Sequence, residues 1–146
     1  MNIIERIRSM VGSFSKIAEI CDTIHVDFSD TNPTSYGLSS TGDTLVSEDI
    51  IGNQTRQHSF VLHSTFSALN DYERMSNSGV LLELAQYLDR CVGEDVTHEI
   101  DGVVYTGTIQ KITTANGMLT AITNENVVQG WYYQLQIIAE YTENII

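Results

Sequence analysis

The sequence predicts an α+β fold: a mainly antiparallel four-stranded sheet with two amphipathic helices packed on one face, plus a projecting β-hairpin. Three observations carry this. In Trp131–Tyr141 the residues Trp131, Tyr133, Leu135, Ile137, Ala139 and Tyr141 share one parity, opposite Tyr132, Gln134, Gln136, Ile138 and Glu140, which is the period of a half-buried strand. Two stretches, residues 2–21 and 70–91, repeat apolar side chains at three- and four-residue steps, as helices covering a sheet do. Two dipeptides, Asp101–Gly102 and Asn116–Gly117, are the turn chemistry of two-residue type I′ hairpins. At 146 residues, of which 42% are hydrophobic, the chain 1–146 reads as a single domain able to bury its own core.

In chain order, the first helix presents Ile3, Ile4, Ile7, Met10, Val11, Phe14, Ile17, Ala18 and Cys21 on one stripe. Its polar face mixes both charges, where a membrane-surface helix would be basic. Ile24–Phe28 alternates as a short strand, and the turn formers of Ser29–Pro33 follow. Tyr36–Ser40 is a brief extended piece, ended by Gly42–Asp43. Thr44–Ile51 and Gln57–Phe66 then flank Gly52–Thr55 as the arms of the projecting hairpin. Asn70 with Glu73 has the logic of a capping box, and Val80, Leu81, Leu84, Ala85, Leu88 and Cys91 form a stripe that Gly93 stops. Val103–Thr113 and Met118–Thr123 read as antiparallel neighbours joined at Asn116–Gly117, and Gly130 leads into the final, central strand.

Seven Lys and Arg against nineteen Asp and Glu give a formal charge of −12. Such a surface opposes phosphate backbones and anionic lipid, so neither sequence-specific nucleic-acid binding nor membrane binding is expected. Glu5, Arg6, Arg8, Lys16 and Glu19 interrupt the opening stretch, which leaves no apolar run of a signal peptide. Cys21 and Cys91 each close an apolar helical pattern and read as free thiols of a reducing compartment rather than a disulfide framework.

The residue chemistry points away from catalysis. His58 and His63 lie five residues apart on one strand and face opposite ways, His25 sits on another strand, and His98 is placed in a loop. Neither these histidines nor the two cysteines have metal-ligand spacing. No carboxylate pair is forced together, no glycine loop cradles phosphate, and no serine lies in a nucleophile elbow. The expectation is a protein without catalytic residues, cofactor or metal. A small acidic host enzyme or ligand-binding domain is the alternative of another class, and it requires a pocket with converging titratable groups.

Three segments carry a resemblance that goes further. Met1–Arg8, Asn77–Gly79 leading into Leu84–Leu88, and Tyr133–Ile137 resemble a family of minor structural proteins of tailed bacteriophages and prophages. These are often labelled minor capsid proteins and are similar to tail terminators. The resemblance lies in order and spacing over most of the chain, which departs from the family in a longer stretch, Val92–Val104, and in having one proline.

The resemblance implies a homohexameric ring at the head-proximal end of the tail. Such a ring stops polymerisation of the tail tube protein and presents a surface to a head-completion protein, while DNA passes through its lumen. The protein would then be found in the virion and, during assembly, in the host cytoplasm. A head-tail connector is the alternative within this class. On this reading Thr44, Val46, Glu48, Ile50, Gly52, Asn53 and Arg56 are candidate interface residues, and Asp43, Glu48, Asp49 and Asp101 are candidate lumen or rim charges.

Overall fold

The computed structural model describes residues 1–14, 24–26, 36–67, 71–122 and 130–145. In chain order they form α1 (Ile3–Ser13), β1 (Ile24–Val26), β2 (Tyr36–Glu48), β3 (Gln54–Ser67), α2 (Asp71–Asp89), β4 (Asp95–Ile100), β5 (Val103–Ile122) and β6 (Gly130–Ile145). The strands make one six-stranded sheet in the order β1-β2-β3-β6-β5-β4. The five from β2 to β6 pair antiparallel, and only the three-residue β1 runs parallel, against Tyr36–Leu38. The α+β architecture is therefore as expected, with more strands than the four the sequence suggests.

The final strand is central, as its alternation predicts. β6 pairs with β3 from Gln54↔Glu143 to Ser67↔Gly130, and on its other side with β5 from Tyr105↔Ile145 to Ile122↔Trp131. Its odd residues Leu135, Ile137, Ala139 and Tyr141 are buried, and the even residues 134–144 are partly exposed. One face of the sheet is thus core. Phe60, Leu62, Ile109 and Ile112 continue it, and Ile7, Val11, Leu81, Leu84 and Leu88 from the two helices cover it. Each such large side chain contributes about 1.5–3 kcal/mol by leaving water, before entropy is deducted.

Five local readings need correction. The first helix, expected over residues 2–21, ends at Ser13, where Phe14 turns extended at φ −68° and ψ 124°. Asn116–Gly117 is not a hairpin: β5 runs through it as one strand, and the register against β6 shifts between Ala115 and Met118. Because β6 offers one continuous ladder to both halves of β5, the extra residue is absorbed as an irregularity instead of reversing the chain. Gly42–Asp43 likewise does not end a strand, since β2 passes through it. The β2–β3 hairpin exists but does not stand free, because β6 runs beside β3 to its tip at Gln54. His98 lies on β4, not in a loop. That strand is built from the long Val92–Val104 stretch, and its turn is the expected one, with Asp101 and Gly102 both at positive φ (51° and 81°).

Ile17, Ala18, Phe28 and the Asn70 cap lie outside the described residues, as does Cys21. Cys91 is a free, half-buried thiol. Gly107 in β5 is a position that only glycine fits, since a Cβ there would overlap the carbonyl oxygen of Thr142 and stand 2.7 Å from its Oγ1. In return the Thr142 hydroxyl accepts from Thr108 N at 3.0 Å. Among the described residues no helix is long and apolar enough to cross a membrane.

Candidate functional site

Toward the N-terminal end of α1, the core face of the sheet turns polar. Following β6 outward, Ala139 and Tyr141 are followed by Glu143; following β3, Leu62 and Phe60 are followed by His58 and Arg56. β2 completes the group through two irregularities. Its register against β3 shifts between Ser40 and Gly42 and again between Leu45 and Ser47. A one-residue bulge reverses which parity faces inward. Leu38 and Ser40 therefore face the core side before the first bulge, and Asp43 does so between the two, opposite His58.

Asp43 is the hub. Its Oδ1 accepts from Arg56 Nε at 2.6 Å, and its Oδ2 accepts from Tyr141 Oη at 2.6 Å and lies 2.9 Å from His58 Nδ1. A carboxylate only accepts, so Nδ1 of His58 carries a proton, and Nε2 shares a hydrogen bond with the hydroxyl of Ser40, which can either donate or accept. Arg56 also donates to Gln54 Oε1 at 2.9 Å. Burial alone would raise the Asp43 pKa; the hydrogen bonds from Tyr141, Arg56 and His58, with the Arg56 charge, outweigh it and hold the carboxyl below the usual range. Burial and the adjacent carboxylate push Tyr141 well above an ordinary phenol, so it remains a donor.

A second polar group lies beside the first. Ile3 N, a free donor at the start of α1, donates to His98 Nε2 at 3.2 Å, which leaves Nδ1 to donate to Glu143 Oε1 at 2.9 Å. These two bonds assign His98 the neutral tautomer with the proton on Nδ1. Its ring meets that of Tyr141 edge-on at 5.4 Å between centroids, so the two groups are contiguous. Asn2 caps the helix by accepting from Glu5 N at 2.8 Å, and Thr97 N donates to Met1 O at 2.9 Å, which fastens the chain start to β4.

Together these residues form the floor of an open cavity of about 930 Å³, walled by the β2–β3 tip, by β4 and by Met1–Glu5. The pocket of converging titratable groups that an enzyme requires is therefore present. The sequence Ser40–His58–Asp43 also has the bond order of a nucleophile, base and orienting carboxylate. Ser40, however, is not among the residues that line the cavity, and Asp43 is already shared by three donors. Among the described residues no group of three or more His, Cys, Asp and Glu side chains is placed to hold a metal.

The residues singled out from sequence fall in different places. Thr44, Val46, Glu48 and Ile50 are exposed along β2 and its tip, with Gly52 and Asn53 in the turn. Asp49 shapes that turn, its Oδ1 accepting from Ile51 N at 3.0 Å and Asn53 N at 2.9 Å. Asp101 is exposed at the separate β4–β5 tip. Arg56 and Asp43, nominated for interface and rim, pair with each other in the network, and both side chains are partly exposed.

Sequence reasoning missed His58, Tyr141, His98 and Glu143 as one site. The signal within reach was that Arg56 and His58 stand two apart on one strand face; placing Asp43 there requires knowing the bulge. In comparisons with known proteins, no family model and no curated protein matches this chain.

Proposed function

We propose that this chain is a non-enzymatic assembly subunit of a tailed bacteriophage or prophage virion, with a tail-terminator-like fold. Six copies would close a ring on the head-proximal end of the tail, end growth of the tube and offer the head-joining surface. The observation that carries the reading is where the exposed apolar residues lie. Leu45, Val46, Ile50 and Ile51 on the β2–β3 tip are 49%, 49%, 104% and 76% exposed, and Ile100, Val103 and Val104 on the β4–β5 tip are 54%, 43% and 46% exposed.

Both tips stand at the same end of the sheet, where β6 reaches Glu143 and Ile145. Apolar side chains gathered in this way mark a surface that another protein covers. Ring closure uses two different patches of each subunit, and two separate tips supply them. The charge of −12 suits a lumen through which DNA passes without being held. The resemblance of the three sequence segments supplies the identity of the assembly.

Negative-stain imaging of purified tail tubes tests this. Wild-type protein should cap tubes of uniform length with rings, and tails assembled without it should be overlong. The double variant Ile50→Ser, Ile51→Ser, altered only at exposed positions, should stay folded and fail to cap. Tubes of indifferent length with no ring would sink the reading, and binding to DNA-filled heads instead of tubes would favour the connector role. A second reading, a serine hydrolase, is favoured by one observation, the Ser40–His58–Asp43 bond order.

A further inference from the structure

The cavity between the two tips has a definite chemical character. Among the described residues that line it, Arg56 is the one fixed cation, and Asp43 neutralises it. Beyond that pair the lining holds the carboxylates of Glu5, Glu48, Glu99 and Glu143 against two imidazoles and the α-amino group of Met1. His98 is neutral in the tautomer its two hydrogen bonds require. Glu143 is 9% exposed and sits at the floor, while Glu48 and Glu99 are exposed at the rim. Apolar surface alternates with these acids, since Met1, Ile4, Ile100 and Tyr105 also line the cavity.

We infer that this cavity is the docking site for an extended, cationic segment of a partner protein. A Lys or Arg side chain would reach toward Glu143, and apolar residues on either side of it would lie against Ile100, Tyr105 and Met1. Charge complementarity selects the occupant. A second copy inserting its β2–β3 tip would bring Glu48 and Asp49 toward four carboxylates, and a nucleic acid would bring phosphates, so both are opposed by like charge. A partner that is both basic and apolar gains from the acids and also from the apolar lining of Met1, Ile4, Ile100 and Tyr105, which a small inorganic cation does not.

That the partner is a protein rests on the assembly reading; within that reading, the basic segment belongs to the tube or head-completion protein and not to the neighbouring subunit of the ring. The test titrates the full chain, labelled with nitrogen-15, with acetyl-Ile-Lys-Ile-amide, acetyl-Ile-Glu-Ile-amide and spermidine, following amide resonances by NMR. The lysine peptide should bind saturably, shift Ile4, Glu99 and Glu143, and weaken about tenfold in Glu143→Gln and in Glu99→Gln. Glu99 is exposed, so its variant leaves the fold intact even if the Glu143 change does not.

Equal binding of the glutamate peptide, equal binding by wild type and Glu99→Gln, or spermidine binding as tightly as the lysine peptide would each overturn the inference. The same variants imaged on tail tubes separate the two claims. Lysine-peptide binding without any capping by wild type removes the assembly reading, whereas capping without peptide binding removes only the docking site.

Discussion

Replacing Asp43 with alanine should destabilise the protein by roughly 2–4 kcal/mol. The substitution takes the acceptor from three donors: Tyr141 Oη, His58 Nδ1 and Arg56 Nε. Tyr141 is 3% exposed and His58 8%, so neither can turn to water, and a buried donor left unsatisfied costs about 1–3 kcal/mol. His58 can relieve its share by moving the proton to Nε2 and donating to Ser40, and the partly exposed Arg56 can hydrate. The sum therefore falls in the lower half of the roughly 2–6 kcal/mol that the two buried donors would cost. In a chain of this length each kcal/mol lowers Tm by about 2–4 °C, so the loss should be roughly 4–16 °C.

Urea unfolding at pH 7, followed by circular dichroism, gives the free energy from a shifted midpoint at constant slope. A double-mutant cycle with Tyr141→Phe should return a coupling of about 1–3 kcal/mol. An Asp43→Ala protein within about 0.5 kcal/mol of wild type, or a cycle with no coupling, would refute the network as the element that joins β2 to β6.

Three further outcomes follow from the same geometry. Because the folded pKa of Asp43 is depressed, its charge stabilises the protein above the unfolded carboxylate value of about 3.9 and ceases to do so as pH falls through the folded value. The stability gap between wild type and Asp43→Asn should hold near neutrality and narrow in acid, and a gap independent of pH would contradict the assignment. Gly107→Ala should cost about 1–3 kcal/mol in thermal unfolding. Adding Thr142→Ala should not restore it, because the overlap is with the backbone carbonyl of Thr142. A fluorophosphonate probe should leave Ser40 unlabelled in intact-mass measurements; labelling that disappears in His58→Gln would instead establish the hydrolase.

The sequence by itself determined the elements whose cause is local or periodic. The stripes through Ile3, Ile7 and Val11 and through Leu81, Leu84 and Leu88 require one apolar helix face each, and the alternation of Leu135, Ile137, Ala139 and Tyr141 requires a strand with one dry face. Asp101–Gly102 turns the chain because positive φ at both positions needs only those two residues.

Asn116–Gly117 has the same local chemistry and does not turn, because β6 pairs with the chain on both sides of it, at Ala115↔Gln136 and Met118↔Gln134, and holds β5 extended. Tertiary structure alone decided the site. Asp43 and Tyr141 are 98 residues apart, and they meet only because β3 joins β2 to β6 in register while two bulges change which side of β2 faces inward. Gly42, at φ 156°, stands at the first bulge, but a glycine there is equally the mark of a turn, and only the fit of the whole strand against its neighbours decides between the two.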